Sequence, residues 1–98
     1  MYARVTMLSA KKGKAAEAVR IYETSILPSA KAQKGYRGSY VLVDWEGDKG
    51  IAVTFWESEK DALANEENLY YQEQLVKLMN LFAGPPIREG YDVAVEAF

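Results

Sequence analysis

Two short runs, Tyr36 to Trp45 and Gly50 to Glu57, flank the turn segment Glu46, Gly47, Asp48, Lys49, and both alternating faces of each run carry apolar side chains. The first offers Tyr36, Tyr40 and Leu42 on one face and Val41, Val43 and Trp45 on the other; the second offers Ile51, Val53 and Phe55 against Ala52 and Trp56. Strands of this kind ask to be buried on both sides. One layer of helices covers only one face of a sheet, so the other face needs a second source of cover. A second copy of the chain is the expected source.

The remaining segments fit around that hairpin. Tyr2 to Leu8 alternates as a half-buried strand, and Lys11, Lys12, Gly13 make a polar turn after it. From Lys14 the period lengthens, with Ala15, Ala18, Val19, Tyr22, Ile26 and Leu27 at the spacing of a helix with one buried stripe. Pro28 lacks a backbone N–H and is expected to end or kink that helix near Leu27. Gly35 and Gly38, around Tyr36 and Arg37, read as turn and bulge residues, not as a phosphate loop, because they open a strand.

Ser58 with Asp61 three residues on is a capping signature at the start of a second helix. That helix is expected in two pieces, Glu59 to Glu67 and Tyr70 to Leu81, with a break around Asn68 and with Leu63, Glu66 and Tyr70 sharing one face. Gly84, Pro85 and Pro86 then turn the chain, and Ile87 to Glu96 alternates as a last strand. The order is strand, helix, strand, strand, helix, strand. It predicts an α+β, ferredoxin-like βαββαβ domain spanning residues 1–98: one antiparallel sheet with two helices on one face. Because large exposed apolar patches are uncommon on soluble monomers, a homodimer through the open sheet face is expected, giving a dimeric α+β barrel.

Composition removes several classes of function. The net charge of −2 and scattered basic residues provide no concentrated positive surface, so no nucleic-acid partner is expected. No stretch approaches the length of a membrane span, and the start lacks the pattern of a secretory signal, so a cytoplasmic location is expected. With no cysteine and no histidine, the chain has no thiol chemistry, no zinc site and no histidine-based triad. The carboxylates Glu57, Glu59, Asp61, Glu66 and Glu67 have no loop signature for a hard cation. No metal and no cofactor are expected.

Several segments together resemble the antibiotic biosynthesis monooxygenase-like family of dimeric α+β barrels. They are Lys11 to Lys14 with Glu17, Lys34 to Gly38 entering the second strand, and Trp56, Glu57, Ser58 before an acidic, alanine-rich helix start. The resemblance implies a two-sheet dimer with a pocket in each subunit between sheet and helices. It also implies cofactor-independent oxygenases of phenolic polycycles, haem-degrading enzymes and proteins of unknown role as relatives. Haem-degrading relatives hold iron through a helix histidine, where this chain places Asn65 or Tyr70, so the phenol-oxidising branch is the better match. That branch implies Asn65, Trp56, Tyr70 and Arg88 as catalytic residues, with a phenolic or polycyclic aromatic small molecule as substrate.

The residue chemistry is compatible with that reading. Cofactor-free oxygenation needs a phenolate or carbanion able to give an electron to oxygen, and a protein that favours the anion and keeps it dry. Arg4 or Arg88 would stabilise the anion, Asn65 would donate a hydrogen bond to a substrate oxygen, and Tyr70 or Glu66 would accept a proton. Arg4, Thr6 and Glu66 are the expected substrate-binding residues. Each has a plainer alternative: Trp56 as core, Arg4 paired with an edge carboxylate such as Glu89 or Glu96, Asn65 and Glu66 on a solvated helix face. The alternative function is a non-catalytic small-ligand-binding or accessory protein on the same scaffold.

Overall fold

The computed structural model describes residues 1–98. Strand β1 (Tyr2–Ser9) leads into α1 (Ala15–Ile21), a π-helical turn (Tyr22–Ile26) and α2 (Leu27–Lys31), which run on as one helical rod. The hairpin β2 (Tyr36–Asp44) and β3 (Lys49–Trp56) follows, then α3 (Glu59–Glu67), α4 (Leu69–Met79) and β4 (Ile87–Asp92). The sheet order is β2-β3-β1-β4, with every neighbouring pair antiparallel. This is the ferredoxin-like topology expected from the order of elements.

Pro28 does not end the first helix. In the π-helical turn before it, the Leu27 N–H donates to the Tyr22 carbonyl, five residues back. The helix then restarts with Pro28 in its first turn, where a missing N–H costs nothing. The second helix does break where expected. Asn68 is extended, and its side chain accepts the Tyr71 N–H at 2.9 Å, capping α4. Upstream, Ser58 accepts the Asp61 N–H at 3.2 Å and starts α3.

The sheet register assigns the two faces. Arg4, Thr6 and Leu8 of β1, Val41 and Val43 of β2, Ala52, Thr54 and Trp56 of β3, and Arg88 of β4 share the helix-covered side. Val5, Met7, Tyr40, Leu42, Ile51, Val53, Phe55, Ile87 and Tyr91 stand on the opposite face, where no helix lies. Tyr40, Leu42, Ile51, Ile87 and Tyr91 are exposed there.

Three expectations about side-chain placement change. A bulge at Arg37 shifts the register between Tyr36 and Gly38, so Tyr36 pairs with Trp56 and leaves the face of Tyr40 and Leu42. Its ring meets the fully buried Trp56 edge-on, with centroids 5.9 Å apart. Trp45 falls in the hairpin turn and is exposed. On α3 the buried positions are Ala62 and Asn65, while Leu63, like Tyr70 beyond the break, faces outward. The last strand ends at Asp92, after which the Val93 N–H still donates to the Met1 carbonyl at 2.9 Å.

Gly35 holds the junction of sheet and α3 at φ +85°, and a Cβ there would lie 2.7 Å from Asp61 Cβ. Only glycine fits that turn, and its carbonyl accepts the Glu57 N–H at 2.8 Å. This contact sets how far the α3 N-terminus stands from the sheet.

Candidate functional site

A cavity of about 150 Å³ lies between the sheet and the helices. β1 contributes Arg4, Thr6 and Leu8 by its two-residue alternation, and β3 contributes Ala52, Thr54 and Trp56 in the same way. The helical layer adds Tyr22 and Ile26 from the π-helical turn, Asn65 and Glu66 from α3, and Tyr71, Leu75 and Leu78 from α4. Arg88 closes the β4 side.

The polar groups gather at one end. Arg4 binds Glu66 through both branches of its guanidinium: Nε donates to Oε1, and Nη2 donates to Oε2 at 3.1 Å. Arg88 Nη1 stands 3.6 Å from the same Oε2. The Arg4 and Glu66 side chains are mostly buried, and Arg88 is the more exposed partner. Bidentate hydrogen bonding to Glu66 raises the Arg4 pKa further above its already high ordinary value. Two guanidinium groups against one carboxylate leave this end of the cavity with a surplus positive charge.

Asn65 is 5% exposed, and its Oδ1 has no hydrogen-bond partner. Leaving such an acceptor unpaired costs about 1–3 kcal/mol. Asn65 lines the cavity, but this oxygen is turned away from anything the size of a water molecule. Tyr71 sits beside it, its pKa raised chiefly by burial, with the charge of Arg88 and the Asn65 amide pulling the other way. Burial also raises the Tyr22 pKa, against the opposing effect of the Thr54 and Ser39 hydroxyls. Both phenols are therefore neutral across the physiological range.

Arg4, Thr6, Trp56, Asn65, Glu66 and Arg88 thus line one cavity. Tyr70 does not: it is 60% exposed and lies outside the lining. The Asn68 cap resets the helical phase, and Tyr71 takes the inward position. The sequence carried that signal, because Tyr71, Leu75, Leu78 and Phe82 follow the i, i+4, i+7, i+11 stripe of the cavity wall. Arg4 does pair with a carboxylate, but with Glu66 instead of Glu89 or Glu96. Glu89 pairs in register with Val5, one residue out of phase with Arg4, and accepts the Tyr91 hydroxyl at 3.0 Å.

The family model for antibiotic biosynthesis monooxygenases matches residues 1–73. No curated protein matches the chain. Among solved structures, proteins from Nitrosomonas europaea and Bordetella bronchiseptica, each carrying that family name as a provisional label, superpose at TM-scores of 0.81 and 0.85. They are 18% and 16% identical over 97% and 96% of this chain, covering 100% and 97% of their own. SnoaB from Streptomyces nogalater, a cofactor-independent oxygenase, superposes at 0.83 with 11% identity, covering 97% of this chain and 94% of that one. At these identities the superpositions establish a shared fold. No helix of the chain is long and apolar enough to cross a membrane.

The two half-buried phenols predict an alkaline limit on stability. Below their ordinary value of 10.0 both are neutral whether the chain is folded or not. Above it the unfolded chain loses its protons first, so stability falls as pH rises toward the raised folded values. Thermal unfolding should therefore have a lower midpoint at about pH 11 than at about pH 9, and Tyr71→Phe should narrow that difference. An unchanged difference in Tyr71→Phe would contradict the burial assigned to Tyr71.

Proposed function

Because this chain belongs to the antibiotic biosynthesis monooxygenase family, we propose that it is a cofactor-independent monooxygenase acting on a phenolic or polycyclic aromatic small molecule in the cavity between sheet and helices. The observation that carries this reading is a largely apolar cavity with Asn65 in its wall and two guanidinium groups against one carboxylate at one end. The Asn65 amide donates a hydrogen bond to the phenol oxygen, and the positive charge of Arg88 favours the phenolate. Glu66, the one carboxylate in the cavity wall, receives the proton. Trp56 and the apolar wall hold the ring out of water.

The reaction balances without a cofactor. The phenolate gives an electron to dioxygen, and the two radicals join at a ring carbon para to the phenolate oxygen. Breaking the O–O bond and losing the hydrogen from that carbon leaves a quinone carbonyl and one water. One phenol and one dioxygen give one quinone and one water. SnoaB is an oxygenase of this cofactor-free kind on the same fold, which supports the assignment of reaction type. The alternative, a non-catalytic ligand-binding protein, draws on the bidentate commitment of Arg4 to Glu66, which leaves Arg88 as the freer cation.

We further propose that two copies associate through the open sheet face, where Tyr40, Leu42, Ile51, Ile87 and Tyr91 are exposed. Packing that face against its own copy removes the apolar surface from water.

Oxygen uptake with a panel of single-ring phenols unsubstituted at the para carbon, and of anthrones, should be seen with at least one member without added metal or flavin, and Asn65→Ala should slow it by about 10²-fold. An unchanged rate in that variant removes Asn65 from the chemistry, and no uptake with any member favours the ligand-binding alternative. Light scattering at micromolar concentration should give twice the mass of the chain, and Leu42→Lys should give the monomer mass. A monomeric wild type would contradict the proposed association.

A further inference from the structure

The interior space is divided, and the division bears on ligand size. Beyond the main cavity lies a second, apolar chamber of about 50 Å³, lined by Ala15, Ala18 and Val19 of α1 and by Val41 and Val43 of β2. The two chambers share the wall formed by Leu8, Tyr22, Ala52, Leu78 and Phe82. Tyr22 opens the π-helical turn of the first helical rod. Such turns often serve to re-aim a side chain at a functional position. Its hydroxyl faces Thr54 and Ser39 on the sheet, so the ring forms part of the wall between the two chambers.

Volume then decides what fits. An apolar cavity of about 150 Å³ holds one benzene-sized molecule, and one water-sized group needs about 10–15 Å³ on the same scale. The main cavity therefore takes one ring within its walls, and the second chamber, open on one side, accommodates about three to five groups of methylene size. Along β1 the polar end at Arg4 and the shared wall at Leu8 are four residues apart, which is about 13 Å of strand. A ring with its oxygen among Asn65 and Arg88 would direct a substituent toward Tyr22.

We propose that the site takes a single-ring phenol bearing a short alkyl tail, the ring in the main cavity and the tail passing Tyr22 into the second chamber. This rests on the phenolic reading above and narrows it, since a fused polycycle exceeds the cavity's volume of about 150 Å³. Tyr22 is then a specificity-determining residue: its ring sets how much tail passes.

The test is calorimetric titration with phenol and a series of 3-alkylphenols from methyl to hexyl, carried out without oxygen so that binding is read apart from turnover. Affinity should rise about fourfold per methylene through propyl or butyl, then level off. Ala18→Leu, which fills the second chamber, should move the plateau to shorter tails, and the milder Ala18→Val should move it less. A flat series in the wild type, or anthrone binding more tightly than 3-butylphenol, overturns the proposal. A rising series with no oxygen uptake upholds the ligand class while removing the oxygenase reading. Oxygen uptake on anthrones alongside a flat series overturns the ligand class while upholding the oxygenase.

Discussion

Glu66 holds the site together because it is shared. Its carboxylate takes both branches of Arg4 from the central strand β1 and stands 3.6 Å from Arg88 on the edge strand β4. A mostly buried pair of this kind returns little net stability, since desolvation offsets much of the attraction. Its value here is positional. By tying α3 to two strands at once, it fixes the rotation of the helix, and the residue before Glu66 is then Asn65, held inward with its acceptor unpaired. The same two arginines leave the polar end of the cavity with more positive than negative charge.

The two faces of the sheet carry different tasks. On the helix side, small residues such as Ala52 and Ala62 leave space that larger side chains would fill, and Trp56 bounds that space as the most deeply buried large ring, together with Ile26. On the open side, β1, β2, β3 and β4 all contribute apolar residues with no helix above them. A chain of this length forms one sheet and one helical layer, so the hairpin that is apolar on both sides supplies a cavity wall on one face and an uncovered surface on the other.

Much of this was legible in the sequence because it depends on local rules. The period change at Lys14, the Ser58 cap and the break at Asn68 follow from spacing and capping chemistry, and all appear in the structure. What was missed depends on phase. One extra residue at Arg37 moved Tyr36 to the helix side of the sheet. One cap at Asn68 turned Tyr71 inward and Tyr70 outward. Pro28 looked like a stop, but the π-helical turn before it placed the proline at a helix start, where it is tolerated. The partner of Arg4 was a matter of tertiary packing between β1 and α3, 62 residues apart in sequence, which spacing alone does not encode.

Occupancy of the cavity by a ligand can be read directly from the two tryptophans. Trp56 lines the cavity and is buried, whereas Trp45 lies exposed in the hairpin turn. In an NMR titration with a 3-alkylphenol, the Trp56 indole N–H resonance should shift in a saturable way while that of Trp45 stays in place. Saturable shifts confined to Trp45, or none at either indole up to the solubility of the phenol, would contradict that occupancy.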